Sequence, residues 1–221
     1  MREVVAATFL SLDGVMQAPG GPEEDRAGGF ALGGWSVNYW DDMMGKSMDT
    51  AFDKPFDLLL GRKTYDIFAS YWPFQDADNP VTVRFNAVTK YVATKSNAPL
   101  KWQKSVKLEG DAARAVAELK KGEGPTLLLQ GSGDFIQTLL AADLIDRFDL
   151  MIFPVLLGRG KRLFADGTVP GALKLVSSRT STTGVTLVSY LRDGAVVPGS
   201  FAGPEPSPEE KKRREAMKVG G

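Results

Sequence analysis

The 221-residue chain contains neither cysteine nor histidine. Without cysteine there can be no disulfide, no thiol nucleophile and no thiolate metal site. Without histidine, a Ser-His-Asp triad and the commonest metal ligand are excluded, and no metal site is expected. Proton chemistry must then come from Asp, Glu, Lys, Tyr or water. An excess of charge of one sign is also missing, because 27 basic side chains balance 27 acidic ones. No global field draws the protein to nucleic acid or to an anionic membrane, so the expected partner is a small molecule. Any anion site has to be local, built from a few placed groups. No apolar run approaches the ~18 residues needed to cross a bilayer. The N-terminal segment reaches Asp13 without the apolar stretch of a signal peptide. These absences predict a cytoplasmic protein, and the length fits one domain.

What is present is a series of short apolar blocks. Glu3 to Leu10 is a nearly continuous β-forming run, the mark of a strand buried on both faces, and it ends at the turn Ser11-Leu12-Asp13-Gly14. Pro19 to Gly34 is rich in Gly and Pro and reads as a binding loop, a lid or a disordered stretch. From Asp41 to Phe52, residues Met43, Met44, Met48, Ala51 and Phe52 share one helical face, with Asp41 or Asn38 as N-cap. Further strands are predicted at 56–60, 90–94, 126–130 and 147–155, with a hairpin inside 173–191 turning at Thr183-Gly184. Helices are predicted at 64–71, from Pro80, at 111–121 and at 135–142. Alternating strands and helices imply an α/β fold with a largely parallel sheet, and the hairpin implies an antiparallel edge. Residues 1–197 form the expected domain. Residues 198–221 turn to Pro, Glu, Lys and Arg and read as a charged tail, with a solvated helix over Ser207 to Lys218.

Three strand ends share a feature. Leu58-Leu59-Leu60 runs into Gly61-Arg62-Lys63-Thr64, Val92-Ala93 into Thr94-Lys95-Ser96, and Leu127 to Gln130 into Gly131-Ser132-Gly133. Ligands of parallel sheets bind beyond the carboxyl ends of the strands. A helix opening there offers unpaired N–H groups and a positive dipole end, which suit phosphate. Each glycine is equally readable as a turn residue and each cation as solvated surface. The occurrence of all three turns in one order favours a dinucleotide.

The segment Leu60-Gly61-Arg62-Lys63-Thr64-Tyr65 resembles the Gly-Arg-x-Thr motif of dihydrofolate reductases. With Ala6-Ala7, Asp13-Gly14, Gln130 to Gly133, Pro154 to Gly158 and Gly160 to Phe164, the chain is similar to the C-terminal reductase domain of the bifunctional riboflavin-biosynthesis deaminase/reductase, over roughly Arg2 to Arg192. Only the reductase half is matched. The resemblance implies a dihydrofolate-reductase-like fold, an eight-stranded, mostly parallel sheet with helices on both faces, and NADPH as cofactor. It implies that Arg62, Lys63 and Thr64, after Gly61, hold phosphates, and that Thr94, Lys95 and Ser96 lie near the 2′-phosphate. Gly131, Ser132 and Gly133, with Phe135 just beyond, would approach the pyrophosphate and nicotinamide. Ala7, Gly14 and Val15 would border the ring, Ala7 being equally readable as a core alanine.

For the substrate, Asp42 or Asp41 is the expected acid or else the N-cap. Trp40 and Trp72, with Trp35 and Tyr39, form an aromatic wall or else cover the core, and Asp13 is a further residue expected on the substrate side. Gly158-Arg159-Gly160-Lys161 reads as a surface turn or a seat for a substrate phosphate. The implied activity is hydride transfer to a ribosylamino-pyrimidine or another small heterocycle. A pterin reductase and a non-catalytic NADP-binding sensor or interaction protein are the alternatives. The resemblance is also compatible with a homodimer.

Overall fold

The computed structural model describes residues 1–201 and 205–219. The first strand, β1 (Val4–Ser11), leads through a long loop to α1 (Asp42–Asp53) and then to β2 (Phe56–Gly61) and α2 (Arg62–Tyr71). The chain continues as α3 (Pro80–Ala87), β3 (Lys90–Ala93), β4 (Ser105–Leu108), α4 (Ala112–Lys121), β5 (Thr126–Gly131), α5 (Gly133–Ala141) and β6 (Arg147–Phe153). The hairpin β7 (Leu173–Thr180) and β8 (Thr186–Arg192) follows, then the polar helix α6 (Pro208–Val219). All eight strands form one sheet in the order β4-β3-β2-β5-β1-β6-β8-β7. Strands β1 to β6 run parallel, and β8 lies antiparallel to both its neighbours. Six strands therefore end on the same edge.

The apolar residues on both faces of β1 determine its place near the centre of the sheet. Val4, Ala6 and Leu10 pack with Leu127 and Leu129 of β5 against Val116 of α4 and Phe135, Ile136, Leu139 and Leu140 of α5. Each such large side chain contributes about 1.5–3 kcal/mol when removed from water. On the other face Val5, Leu58, Leu60 and Leu128 meet Phe52 of α1, Tyr65 of α2 and Phe85 of α3. A third cluster, with Val15, Phe30, Trp35, Met44, Phe153 and Val185, lies beyond the end of β1.

The departures from expectation have physical causes. Strand β4 was not expected. It is a four-residue edge strand with one buried residue, and Ser-Val-Lys-Leu carries too little apolar signal. Helix α2 starts two residues before the predicted position, as does α5, because their first turns face a cavity and so show no apolar periodicity. The Pro19–Gly34 stretch is packed rather than disordered. Phe30 is buried, Trp35 donates its indole N–H to Gln17 O (2.8 Å), and the Gln17 amide donates to Asp25 O (3.0 Å) and Ala27 O (2.9 Å).

Candidate active site

Helix caps divide the helices of this protein into two groups. Asp41, Asn79 and Asp111 cap α1, α3 and α4, accepting from Met44 N (3.1 Å), Val81 N (2.9 Å) and Arg114 N (2.9 Å) respectively. By contrast α2 begins after Gly61 and α5 after Ser132, and neither residue makes a side-chain cap bond. These two helices follow adjacent strands, β2 and β5, and open on the same sheet edge. Their first-turn N–H groups and positive dipole ends are therefore available at one place.

The two glycine turns pack on one another. A Cβ on Gly61 would stand 2.4 Å from Ser132 Oγ, and one on Gly131 would stand 2.7 Å from Thr64 Oγ1. At both positions the missing Cβ makes room for the neighbouring turn. Gly131 also has φ +142°, and the bond from it to Ser132 is cis. Gly133 is different. A Cβ there would meet Met16 Sδ at 3.5 Å and Arg162 O at 3.6 Å, ordinary contacts.

Beside these turns lies a cavity of about 350 Å³ lined by Lys63, Ser132, Gly133, Gln137, Lys161 and Arg162, with Asp134, Phe164 and Asp166 at its wall. Lys63 and Lys161 both reach Asp25 of the long loop, at 2.9 Å to Oδ1 and 2.6 Å to Oδ2. Burial by itself would raise the Asp25 carboxyl. Hydrogen bonds from Lys161, Lys63 and the Ala27 amide outweigh it and bring the value down to about 2.

Other expected residues have partners of their own. Arg62 Nε pairs with Asp66 at 2.9 Å and Nη1 donates to Ala98 O at 3.2 Å, tying α2 to the loop after β3. In that loop Thr94 Oγ1 accepts from Ser96 N (3.0 Å), Ser96 Oγ accepts from Ala98 N (3.0 Å), and Lys95 is exposed. Asp13 accepts from Ser11 Oγ (2.6 Å), Leu157 N (3.1 Å) and Gly158 N (2.8 Å). The Ser11 hydroxyl, followed by the two amides, holds its carboxyl at about 2 against the effect of burial. Gly14 takes φ +82° in this turn. Val15 is fully buried and Phe135 nearly so, and both are core residues. Ala7 is half-buried on β1, opposite Asp149. Beside it, Thr8 is buried with a hydroxyl that has no hydrogen-bond partner among the described residues.

On the substrate side, the acidic pair divides. Asp41 caps α1 with one oxygen, and its other oxygen accepts from Thr182 N (2.9 Å) and Oγ1 (2.7 Å) at the β7–β8 turn. Those bonds, the Thr182 hydroxyl first, keep it ionised below the usual carboxylate range. Asp42 is exposed in the first turn of α1. Trp40 is 43% exposed with its ring 5.9 Å from Phe9, so one open aromatic surface stands near the end of β1. Trp35 and Tyr39 instead pack on Phe153. Trp72 does not join them. The ten residues of α2 carry the chain back about 15 Å along the sheet, and Trp72 packs on Phe85 at 5.0 Å.

The model of the RibD C-terminal domain matches residues 2–187. The chain belongs to that family. RibD C-terminal members and their structural relatives share the fold seen here. A Shewanella sp. PV-4 protein proposed to act in riboflavin biosynthesis matches at 22% identity with a TM-score of 0.66, covering 86% of this chain and 99% of that one. The Thermotoga maritima bifunctional pyrimidine deaminase/5-amino-6-(5-phosphoribosylamino)uracil reductase matches at 16% identity and TM-score 0.56, over 87% of this chain and 57% of that one. Dihydrofolate reductase of Enterococcus faecalis, solved with NADP(H), matches at 14% and 0.53, over 86% and 96%. The dihydrofolate-reductase-like architecture is thus the fold of this member of the RibD C-terminal domain family.

The sequence did not point to Asp25 or Gln137. Asp25 is one acid in a loop of mixed composition, and Gln137 is one polar residue on a helix. Lys161 and Arg162 had a signal, the Gly-x-Gly spacing before them, but nothing local showed that this turn meets α2 and α5.

Proposed function

We propose that the protein is an NADPH-dependent reductase transferring a hydride to a small heterocyclic substrate, of the ribosylamino-pyrimidine class. The observation that carries this reading is the pair of uncapped helix N-termini opening beside one cavity lined by Lys63, Lys161 and Arg162. Such a donor set fits the phosphates of a dinucleotide. Lys63, the first-turn amides of α2 and the turn at Ser132-Gly133 would hold them, with Thr94, Lys95 and Ser96 on the adenosine side. The cofactor supplies a hydride to a polarised C=N or C=O. The chain's task is to align donor and acceptor and to exclude water. Ala7 would border the ring, next to Thr8 with its orphaned hydroxyl. Trp40 offers a face for a planar ring. Asp42 is the better of the two acids to relay a proton from water, because both oxygens of Asp41 are engaged.

Titration with NADPH and, separately, NADH, followed by tryptophan quenching, tests the reading. Tight NADPH binding that Lys63→Met weakens, with poor NADH binding, is the expected result. Failure of both nucleotides to bind refutes it, and so does binding without turnover on any pyrimidine or pterin. The reading includes a homodimer, supported by the edge strand β7, which exposes Leu175 and Val176.

A further inference from the structure

Asp25 is out of character with its surroundings. Its neighbours Glu23 and Arg26 to Gly29 are exposed, yet its own side chain is only 9% exposed and lies between two ammonium groups. Both lysines line the cavity onto which α2 and α5 open. One carboxylate against two ammoniums leaves a net charge of +1, whereas the pyrophosphate bridge of a dinucleotide carries one negative charge on each phosphorus and balances the pair. A ligand phosphate is therefore a better partner for Lys63 and Lys161 than Asp25 is.

The loop is built so that the carboxylate can leave without unfolding it. Gln17 holds the backbone on both sides of Asp25, donating to Asp25 O and Ala27 O, and its Oε1 accepts from Lys161 N at 3.0 Å. These bonds do not involve the Asp25 side chain. Among the described residues, the one further bond to the carboxylate is from the Ala27 amide, 3.0 Å, on an exposed turn.

We propose that Asp25 is an internal competitor of phosphate, a latch that occupies Lys63 and Lys161 until a phosphorylated ligand takes the two lysines from it. This rests on the cofactor reading above for the identity of the ligand, but the latch concerns any phosphate entering the cavity. Its consequence is that the unliganded protein resists weak anions and pays for loop release on binding.

The test is Asp25→Asn, which keeps the shape and the acceptor for Ala27 but removes the charge. Affinity for inorganic pyrophosphate and for NADPH is measured by calorimetry at low salt. Both are expected to tighten about three- to tenfold, the worth of partly exposed ion pairs. In the wild type, tryptic cleavage after Arg26, read by mass spectrometry, is expected to accelerate when either ligand is present. Unchanged or weaker pyrophosphate binding by the variant overturns the latch, as does protection of Arg26. If NADPH binds but Asp25→Asn leaves its affinity unaltered, the latch falls and the cofactor reading stands. If NADPH never binds while pyrophosphate tightens, the latch stands and the cofactor reading falls. Should Asp25→Asn fail to fold, Lys161→Met serves instead. It is expected to weaken pyrophosphate binding and to speed cleavage after Arg26 without ligand, and the opposite result overturns the proposal.

Discussion

Replacing Gly131 with alanine measures how tightly the two glycine turns are interlocked. The new Cβ would stand 2.7 Å from Thr64 Oγ1, inside van der Waals contact, on a residue with φ +142°. Overpacking of this kind costs about 1–3 kcal/mol, and a side chain held in such a backbone region a further ~1–3 kcal/mol. The sum, ~2–6 kcal/mol, is a large part of a typical domain's ~5–15 kcal/mol. For a chain of this size it corresponds to a fall in Tm of roughly 4–24 °C. Gly133→Ala is the internal control. Its Cβ meets only ordinary contacts and its φ is unstrained, so Tm is expected to hold or rise slightly, by up to about 1 kcal/mol of chain entropy. The same Cβ stands at the cavity wall, so NADPH affinity is expected to fall. Differential scanning calorimetry on the two variants, with NADPH titrations, provides the comparison. A Gly131→Ala protein melting within about 2 °C of wild type refutes the interlocking account.

The acidic pair of α1 separates by assay. Asp41→Ala is expected to lower Tm by removing a cap and the tie to Thr182, while Asp42→Asn leaves Tm unchanged and slows turnover on the accepted substrate. Asp13→Ala is expected to cost about 1 kcal/mol by unpairing the amides of the 157–158 turn. Because its folded carboxyl sits near 2 against an ordinary 3.8, that contribution is present above about pH 4. The gap in Tm between wild type and Asp13→Ala should close as pH falls from about 4 towards 2. Trp40→Phe is expected to remove most NADPH-induced quenching and Trp72→Phe little of it, since Trp72 packs on Phe85 away from the strand ends. Equal losses would contradict that placement. Sedimentation equilibrium is expected to give a dimer for the wild type and a monomer for Val176→Lys, which puts a charge on the exposed edge strand.

Periodicity made most of the fold legible. The apolar runs of β1, β2 and β5, the Met44/Met48 face of α1 and the caps Asp41, Asn79 and Asp111 all mark elements from within a single window of sequence. Strand β4 was not legible, because an edge strand owes its existence to the neighbour it pairs with, here β3 over Lys90 to Ala93. The candidate site was half legible. Gly61, Lys63, Ser132 and Gly133 stand together, because strand-to-helix turns on parallel neighbours share an edge.

The roles of those residues were decided elsewhere. Whether a glycine serves a ligand or a neighbouring turn depends on what lies within 3 Å of its absent Cβ, and for Gly61 that is Ser132, seventy-one positions away. Whether Asp13 and Asp41 are acids or fasteners depends on Leu157, Gly158 and Thr182, more than a hundred residues downstream. The sequence by itself determined the elements other than β4, their order and the residue types at the strand ends, because these follow from local periodicity and turn chemistry. Only the tertiary structure decided which charges meet: it brought Asp25 to Lys63 and Lys161, because ion pairs form between surfaces that packing has already set side by side.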